Sequence, residues 1–283
     1  MLTCKEYTDL KKKELKAYIE EKGLHPKLVV IQVGDRPESN SYIRGKMRDC
    51  KEVGIECVVS KWEAEDIYTA RLIAIIDTFN FDSDVHGIIV QLPLPDHINV
   101  KKVQEWIDEI KDVDGFNPRS PFDPCTPKGV IDYLKYIGYE FEGKDALVIG
   151  RSDIVGKPLA DMLTDLDCTV TLAHSKSKNM DAHITFADVV FTCIDKIEYY
   201  DELLFPVEPD TDVIDIGLGP GEDGKLHGNI KQDRANYIKR NQFEGNFIIS
   251  GTGGVGLLTR LALVENVVKA AELCDNANKV SGS

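Results

Sequence analysis

The stretch that decides the fold is KDALVIGRSDIVGKPLADML, residues 144–163. An apolar run ends at Gly150, and a helix with Pro158 in its first turn follows the second glycine, Gly156. Glycines in such a turn let the backbone approach a ligand closely, and the helix N-terminus offers unpaired N–H groups to a phosphate. The pattern therefore favours a dinucleotide-binding crevice. Because the spacing is G-x-S-x-x-x-G and not G-x-G-x-x-G, a plain tight turn stays an alternative.

The strand after this helix predicts which dinucleotide binds. A NAD-binding fold usually places a carboxylate on the ribose about 20 residues after the glycine turn. Here the strand ends in His174, Ser175 and Lys176, and such groups suit a 2′-phosphate, to which Arg151 can add a charge-assisted contact. The alternative is that they only cap a strand end in solvent. We predict NADP as the cofactor, with contacts from Gly150, Arg151, Ser152, Ile154, Val155, Gly156, His174 and Ser175.

Strand-like runs alternate with helical patterns on both sides of this stretch. The strand-like runs are PKLVVIQVGD, IECVVSKW and VHGIIVQLPLP before it, and TVTLAHS, ADVVFTCI, TDVIDIG and NFIISG after it. Alternation of this kind predicts an α/β protein with parallel sheets. Four prolines exclude regular structure from residues 112–129 and mark a domain junction. We predict domains at 1–120 and 121–256, then an amphipathic helix over 257–274 and a frayed polar tail over 276–283.

Charge and cysteine content exclude several classes of function. The chain has 34 Lys and Arg against 48 Asp and Glu, a formal net charge of −14. Such a surface repels nucleic acid and anionic membranes, so we expect neither as a partner. No run approaches the roughly 18 apolar residues of a membrane span, and the start shows no apolar signal region. The seven cysteines form no C-x-x-C pair, so we expect no metal and a cytoplasmic location.

Several polar residues of the first half lie at strand ends or in turns. Gln91 lies just past an apolar run, at the end of a strand where open α/β sheets bind ligands, although a lone glutamine there is more often a loop hydrogen-bonder. Asp112 and Asp114 precede Gly115, where turn chemistry alone would explain them. Cys125 has no identifiable activator, so we do not expect it to be a nucleophile.

Another candidate pair lies on the helix predicted within SYIRGKMRDCKEVG, residues 41–54. Tyr42 and Lys46 are one helical turn apart. They flank an apolar stripe that we predict to be buried, formed by Ile43, Met47, Cys50 and Val53. A surface lysine that happens to follow a tyrosine would give the same pattern, so the pair alone assigns no function.

Six motifs in order carry a family resemblance: SYIRGK, VQLPLP, DVDGF, PCTPKG, GRSDIVGKP and SGTGGVG. Together they closely resemble the bifunctional methylenetetrahydrofolate dehydrogenase/methenyltetrahydrofolate cyclohydrolase family, from about Pro26 to Leu273. The resemblance implies a folate domain over 1–120 and a Rossmann-type NADP domain over 121–256, with a cleft between them. It also implies that residues 257–283 return to the first domain, and that the protein is a homodimer.

The resemblance assigns roles residue by residue. Tyr42 and Lys46 match the active-site Tyr-x-x-x-Lys of the family, Gln91 its glutamine and Asp114 its pterin-binding aspartate. Catalysis is thereby assigned to Lys46, Tyr42 and Gln91. Folate contacts are assigned to Asp114, Tyr42, Pro93, Gly253 and Gly254, and further NADP contacts to Ile216 and Gly217.

The implied reaction is the NADP-dependent oxidation of 5,10-methylenetetrahydrofolate to the methenyl form and its hydrolysis to 10-formyltetrahydrofolate. Lys46 transfers the proton in the hydrolytic step, and no metal is required. The sequence departs from the family at Ile194 and Asp195, where a small glycine-containing turn is usual, and at Asn229, where an aspartate is usual. A cyclohydrolase with weakened or lost dehydrogenase activity therefore stays an alternative. The others are a shikimate-dehydrogenase-like oxidoreductase and a non-catalytic folate-binding paralogue.

Overall fold

The computed structural model describes residues 2–194, 211–220, 226–229, 248–249 and 254–281. The chain divides into two compact units. The first unit comprises Thr8–Cys125 with Arg260–Ser283, and the second comprises Met1–Tyr7 with Thr126–Thr259. Each unit contains its own parallel sheet, so the predicted two-part α/β architecture is confirmed.

The first unit is built on a three-stranded parallel sheet in the order β2-β1-β3. The strands are β1 Lys27–Val33, β2 Glu56–Trp62 and β3 Gly87–Val90. Every residue from Leu28 to Val33 of the central strand is buried, whereas exposed and partly buried residues share the edge strand β2. The helices of this part of the chain are α1 Cys4–Lys22, α2 Pro37–Val53, α3 Thr69–Asn80 and α4 Val100–Gln104.

The second unit has a five-stranded parallel sheet in the order β10-β7-β6-β4-β5. Its strands are β4 Asp145–Ile149, β5 Thr169–Ala173, β6 Val189–Thr192, β7 Asp212–Asp215 and β10 Ile248–Ile249. Its helices are α5 Cys125–Tyr136, α6 Gly156–Thr164 and α7 Met180–Thr185.

The strand order of this sheet reverses at β4, which lies between β5 and β6. Ligands of open α/β sheets bind outside the carboxyl ends of the strands at such a switch point. The apolar runs of the sequence predict all five parallel strands. They do not predict the separate antiparallel pair of β8, Leu218–Pro220, and β9, Leu226–Gly228.

The last helix, α8, covers Gly256–Ser281 and differs from its prediction in two respects. Consecutive residues are buried from Leu261 to Val264, so this part is shielded on all sides instead of along one stripe. The predicted frayed tail is also wrong, because the helix continues through residues 276–281. Adding residues to an existing helix is much easier than starting one, so a polar sequence can continue it.

The proline-rich segment also differs from its prediction at one end. Residues 112–124 contain neither helix nor strand, but α5 begins at Cys125 and includes Pro127 in its first turn. The prediction that regular structure is absent up to residue 129 is therefore wrong. A proline costs little in a first turn, because the N–H that it lacks would have no partner within the helix.

A buried lysine closes the end of α3. Lys111 is 7% exposed, and its Nζ donates to the carbonyl oxygens of Phe79 at 3.0 Å, Asn80 at 2.8 Å and Asp82 at 2.7 Å. An ammonium has three donors, so this group is fully satisfied. The last carbonyls of a helix lack partners within it, and a cation there also interacts favourably with the helix dipole.

We expect Lys111→Met to destabilise the first unit by roughly 1–3 kcal/mol, because it leaves buried carbonyls without donors. Both tryptophans, Trp62 and Trp106, lie in this unit, so urea unfolding followed by tryptophan fluorescence reports on it. Lys102→Met, at an exposed position of α4, is the control and should change stability by less than about 0.5 kcal/mol. Equal losses in the two variants would contradict a capping role for Lys111.

Candidate active site

Helix α2 starts at the carboxyl edge of the first sheet, where β1 ends. Gln32 of β1 is buried, and its Nε2 donates to the carbonyl of Gly34 at 3.1 Å and to Asn40 Oδ1 at 2.7 Å. Pro37 is the first residue of the helix, a position for which the φ of proline is suited. Gly54 ends the helix at a φ of 92°, in the left-handed region that favours glycine. The sequence thus fixes both ends of α2.

Tyr42 and Lys46 lie one turn apart on α2. Tyr42 is 36% exposed, and Lys46 is partly buried. Lys46 forms no ion pair with any residue that the structure describes. No described carboxylate therefore neutralises the charge of this amine.

The buried face of α2 differs from the predicted stripe. Ile43, Cys50 and Val53 are buried as predicted, but Met47 is 42% exposed. Asp49, which the predicted stripe does not include, is 1% exposed. Sequence patterning excludes a carboxylate from the core unless its partners are known, and the partners of Asp49 lie far away along the chain.

Two cations hold Asp49 in the core. It accepts hydrogen bonds from Lys12 Nζ of α1 at 2.7 Å and from Arg260 Nε of α8. Burial raises the pKa of Asp49, but these hydrogen bonds outweigh burial and hold the pKa below its usual value. A Cβ on Gly45 would lie 3.3 Å from Cδ of Arg260, so α2 carries a glycine where the arginine passes. The cluster connects three helices around the one that carries Tyr42 and Lys46.

Gln91 lies at the carboxyl edge of the same sheet. Its backbone N–H donates to the carbonyl of Ile31 at 2.9 Å, and its Nε2 donates to the carbonyl of Leu92 at 2.7 Å. Because a carbonyl only accepts, this contact fixes the orientation of the amide. Gln91 Oε1 is then buried and accepts no hydrogen bond from any residue in the described ranges. A buried acceptor without a donor costs free energy, so this oxygen is suited to accept a hydrogen bond from a further donor at the sheet edge. Pro93 lies nearby in the chain and is exposed.

The turn that carries Asp114 requires glycine at its next position. Gly115 has a φ of 72°, and a Cβ there would lie 2.6 Å from the carbonyl oxygen of Phe122. Asp114 is partly buried. The tight turn therefore places the Asp114 carboxylate, which accepts hydrogen bonds only when ionised, beside the segment that follows it.

Asp112 of the same turn is a buried carboxyl. It is 1% exposed and accepts the backbone N–H of Asn117 at 2.7 Å. Burial raises the pKa of Asp112 to about 7, and the charge of Asp114 contributes to the rise. The two carboxyl groups of the turn therefore lie in different environments.

In the second unit, four parallel strands end in register. Ile149 of β4 pairs with Ala173 of β5 and with Thr192 of β6, and Thr192 pairs with Asp215 of β7. The residues that follow these four positions therefore form one row along the carboxyl edge. The row contains Gly150 and Arg151, Cys193 and Ile194, His174 and Ser175, Ile216 and Gly217. The register thus brings together predicted cofactor residues from separate loops at the switch point of the sheet.

The glycine turn after β4 is closely packed. Gly150 has a φ of 128°, and a Cβ there would lie 2.4 Å from the carbonyl oxygen of Cys193. A Cβ on Gly156 would lie 2.0 Å from the carbonyl oxygen of Gly150. Side chains are excluded at both positions, so the turn fits the close backbone approach that a dinucleotide requires.

The start of α6 is partly satisfied by the protein itself. Ser152 Oγ accepts the backbone N–H of Val155 at 3.2 Å and that of Gly156 at 3.3 Å. The prediction that this helix N-terminus offers unpaired N–H groups is therefore wrong for these two. Ser152 lies before the N-cap residue, Val155, which forms no side-chain capping bond, and a serine hydroxyl commonly bonds N–H groups of the local backbone in this way. Ile154, between them in the chain, is partly buried.

Arg151 and Ser175 each lie two residues beyond the registered pair Ile149 and Ala173, and both are exposed. His174 Nδ1 accepts the N–H of Lys176 at 3.1 Å, so this ring nitrogen shapes the loop. Neither strand end carries a carboxylate within two residues of the registered pair. The chemistry of this corner fits a phosphate monoester better than a bare ribose hydroxyl.

Asn229 contacts this edge of the sheet, and no pattern in the sequence predicts that contact. Its Oδ1 accepts the N–H of Ile194 at 3.2 Å, and its Nδ2 donates to the carbonyl of Ile194 at 2.7 Å. An aspartate could accept but could not donate. Its own N–H donates to Asp215 Oδ1 at 2.9 Å. Ile194 and Asn229 are 35 positions apart, so no local pattern could indicate that they pair.

Some sequence expectations fall outside the described residues, namely those for Asp195 and Gly253, whereas Gly254 is described and buried. Within the described ranges, no three His, Cys, Asp or Glu side chains cluster as metal ligands. None of the helices in those ranges is both long and apolar enough to cross a membrane.

The fold and site define a two-part α/β protein with a Rossmann-type dinucleotide sheet and a second α/β unit that presents a lysine, a glutamine and an aspartate. Residues 2–114 match the family model "Tetrahydrofolate dehydrogenase/cyclohydrolase, catalytic domain". Residues 124–275 match "Tetrahydrofolate dehydrogenase/cyclohydrolase, NAD(P)-binding domain". The chain therefore belongs to the tetrahydrofolate dehydrogenase/cyclohydrolase family.

Individual relatives agree with this assignment. The chain is 40% identical over 265 residues to the bifunctional protein FolD of Paracidovorax citrulli, covering 90% of each chain. It resembles the crystal structure of the bifunctional enzyme FolD from Campylobacter jejuni at 36% identity and a TM-score of 0.86, covering 94% of this chain and 96% of that one. It also resembles the Trypanosoma brucei dehydrogenase-cyclohydrolase, solved with NADP and an inhibitor, at 26% identity and a TM-score of 0.85, covering 96% and 97%.

We expect Asp112 to make the first unit less stable as the pH rises. Its carboxyl has a raised pKa of about 7 in the folded chain, whereas an unfolded aspartate titrates near pH ~4. Between these values the folded state holds a proton that the unfolded state has lost. The contribution of Asp112 is therefore fully present below pH ~4 and falls by at most about 1.4 kcal/mol per pH unit toward pH ~7.

Asp112→Asn removes this titration and keeps an acceptor for the N–H of Asn117. Urea unfolding followed by tryptophan fluorescence between about pH 5 and 8 should show wild type losing stability relative to the variant as the pH rises. Asp96→Asn, at an exposed position, is the control and should keep the wild-type pH dependence. A constant difference between wild type and Asp112→Asn would refute the raised pKa.

Proposed function

We propose that this protein oxidises 5,10-methylenetetrahydrofolate to 5,10-methenyltetrahydrofolate with NADP and hydrolyses that product to 10-formyltetrahydrofolate. Matches to both family domains support this. The structural observation that carries it is Gln91 Oε1, a buried acceptor that no described residue satisfies, at the sheet edge from which α2 starts. We propose the amine of Lys46 as the donor that completes it.

The proposed folate contacts lie on the first sheet edge and in the turn beside it. Tyr42 packs against the folate and orients Lys46. The carboxylate of Asp114 accepts hydrogen bonds from the amino and N–H donors of the pterin, because an ionised carboxylate is an acceptor only. Pro93, Gly253 and Gly254 complete the folate contacts in this proposal.

The protein's part in the chemistry follows from these groups. Bound NADP supplies the hydride acceptor, and the oxidation requires chiefly that the folate be held in one orientation. In the hydrolysis, the Lys46 amine accepts a proton from the attacking water and donates one to the nitrogen that is released. Gln91 holds the amine through Oε1 without adding a charge, and its contact with Leu92 prevents the amide from rotating away.

The choice of NADP rests on the corner between β4 and β5. Arg151 lies two residues after Ile149, and Ser175 lies two residues after Ala173, its partner in the sheet. We assign both side chains to the 2′-phosphate. The Trypanosoma brucei relative was solved with NADP. The remaining dinucleotide contacts that we propose are Gly150, Ser152, Ile154, Val155, Gly156, His174, Ile216 and Gly217.

We assign folate binding to residues 1–120 and NADP binding to residues 121–256, and we propose that residues 257–283 return to the first domain.

Strand β5 lies at one edge of the described sheet of the second unit. Two apolar side chains near it are exposed, Leu172 on β5 at 36% and Phe186 just after α7 at 78%. An edge strand with exposed apolar neighbours suits pairing with a second copy, so we propose a homodimer. The free cysteines fit a cytoplasmic location.

A spectroscopic assay separates this function from its alternatives. The matches to both family models argue against the alternative of a shikimate-dehydrogenase-like oxidoreductase. With purified protein, methylenetetrahydrofolate and NADP or NAD, methenyl formation and its hydrolysis are followed separately. Hydrolysis without oxidation would identify a cyclohydrolase that has lost dehydrogenase activity. Folate binding with neither reaction would identify a non-catalytic paralogue.

We expect Lys46→Met to lower the cyclohydrolase rate by about 10²–10⁴-fold, the usual cost of losing a general acid or base. Much of the hydride transfer should survive, because that step needs no titratable amine. The measurement is the ratio of the two rates in wild type and variant. Lys51→Met, an exposed lysine on the same helix, is the control and should leave both rates unchanged. Normal hydrolysis by Lys46→Met would remove Lys46 from the mechanism.

We expect Arg151→Ala to weaken NADP by roughly tenfold and to leave NAD almost unchanged, because one charge-assisted contact to phosphate is lost. The kcat/KM ratio for NADP over NAD measures this, and it should shrink as salt rises because the contact is exposed. Lys157→Ala is the control, since this exposed lysine pairs with Asp153 at 2.5 Å. An unchanged cofactor ratio in Arg151→Ala would exclude it from 2′-phosphate recognition.

A further inference from the structure

The side chain of Asn229 fills the space between the segments that follow β6 and β7. It is completely buried. Ile194 lies two residues after the end of β6, and Gly217 lies two residues after the end of β7. Asn229 Oδ1 accepts the N–H of Ile194 at 3.2 Å, and its Nδ2 donates to the Ile194 carbonyl at 2.7 Å. A Cβ on Gly217 would lie 2.0 Å from Asn229 Oδ1 and 2.1 Å from the Ile194 carbonyl oxygen, so this position requires glycine.

Both segments and Asn229 itself are tied to the ends of the strands. The N–H of Gly217 donates to the carbonyl of Thr192 at 2.9 Å. The N–H of Asn229 donates to Asp215 Oδ1 at 2.9 Å, and Thr192 Oγ1 donates to the same oxygen at 2.8 Å. A backbone N–H only donates and a carbonyl only accepts, so the two contacts with Ile194 fix the orientation of the Asn229 amide.

The segment after β6 forms one wall of the crevice in which we propose that NADP binds. β4 lies between β5 and β6, so the segments after β4 and β6 flank the switch point of the sheet. They lie in close contact, because a Cβ on Gly150 would lie 2.4 Å from the carbonyl oxygen of Cys193. The proposed function places the 2′-phosphate at the ends of β4 and β5 and the pyrophosphate at the glycine turn. The nicotinamide half then extends over the ends of β6 and β7, where Ile194 and Gly217 lie.

We propose that Asn229 is a positioning residue for the nicotinamide half of the dinucleotide, acting through the backbone of Ile194. This role rests on the proposed binding of NADP. Without the amide, the Ile194 carbonyl loses its Asn229 donor, and the segment keeps its position in only a fraction of the molecules. A ligand that requires that position binds more weakly by the same fraction. Because NADP and NAD share their nicotinamide half, Asn229 acts on both, whereas Arg151 acts on their ratio.

The test compares NADP with adenosine 2′,5′-bisphosphate, which is NADP without its nicotinamide nucleotide. Isothermal titration calorimetry on the full chain gives the Kd of each ligand. We expect Asn229→Leu to weaken NADP roughly tenfold, as when about one molecule in ten keeps the segment in place. The bisphosphate should bind as to wild type, which also shows that the sheet is folded. Asn179→Asp, at an exposed position of the same unit, is the control and should keep the wild-type ratio of the two Kd values.

Asn229→Asp tests the hydrogen bonds themselves through their pH dependence. The ionised carboxylate can accept the N–H of Ile194 but cannot donate to its carbonyl, whereas the protonated acid can do both. Burial and the neighbouring carboxylate of Asp215 both favour the protonated form. Compared with wild type at each pH, the loss of NADP affinity should therefore disappear as the pH falls from about 9 to about 5.5. Asn229→Leu cannot titrate and should keep its loss throughout.

Three results would overturn this role. The first is a wild-type ratio of the two Kd values in Asn229→Leu. The second is an equal loss for both ligands in a variant that circular dichroism shows to be folded. The third is a loss in Asn229→Asp that stays constant with pH, which would exclude the hydrogen bonds to Ile194 as its cause. If wild type itself binds neither ligand, the proposed cofactor is wrong, and the role of Asn229 is refuted with it.

Discussion

The first unit depends on one buried carboxylate. Asp49 lies in the core between Lys12 and Arg260, which are 37 and 211 positions away in the chain. Removing one partner of a buried ion pair leaves an uncompensated charge and costs about 3–5 kcal/mol, so the three residues act as a set. Because Asp49 lies one turn beyond Lys46 on α2, the set fixes the helix that presents the proposed catalytic amine.

Both units use the same geometric device. Parallel strands end at one edge, and side chains from loops far apart in sequence meet there. In the first unit this places Gln91 beside the end of β1, where α2 begins. In the second unit one register row carries the glycine turn, the cationic corner and Ile194, which is hydrogen-bonded to Asn229. Asn229 fixes the backbone of Ile194 there, because it accepts the Ile194 N–H and donates to the Ile194 carbonyl.

Much of the fold and of the candidate site can be predicted from the sequence, because the signals for them are local. Each parallel strand is an apolar run, Gly54 and Gly115 mark positions of positive φ, and the G-x-S-x-x-x-G turn with the groups after β5 indicates a dinucleotide site. Predictions fail where a neighbour decides. The N–H groups at the start of α6 are bonded to Ser152, Pro127 is accommodated inside α5, and the polar end of α8 stays helical. Each outcome depends on a hydrogen bond or a preceding helical turn that composition does not reveal.

By itself, the sequence determined the two parallel α/β units, the glycine turn after β4 and the helix that carries Tyr42 and Lys46. These follow from side-chain period and backbone sterics, which act over a few residues. Only the tertiary structure decided that Asp49 and Lys111 are buried, and that Gln91 Oε1 is buried without a hydrogen-bond donor among the described residues. Whether a polar group can be buried depends on the donors and charges placed around it, and those come from segments that only the fold brings together.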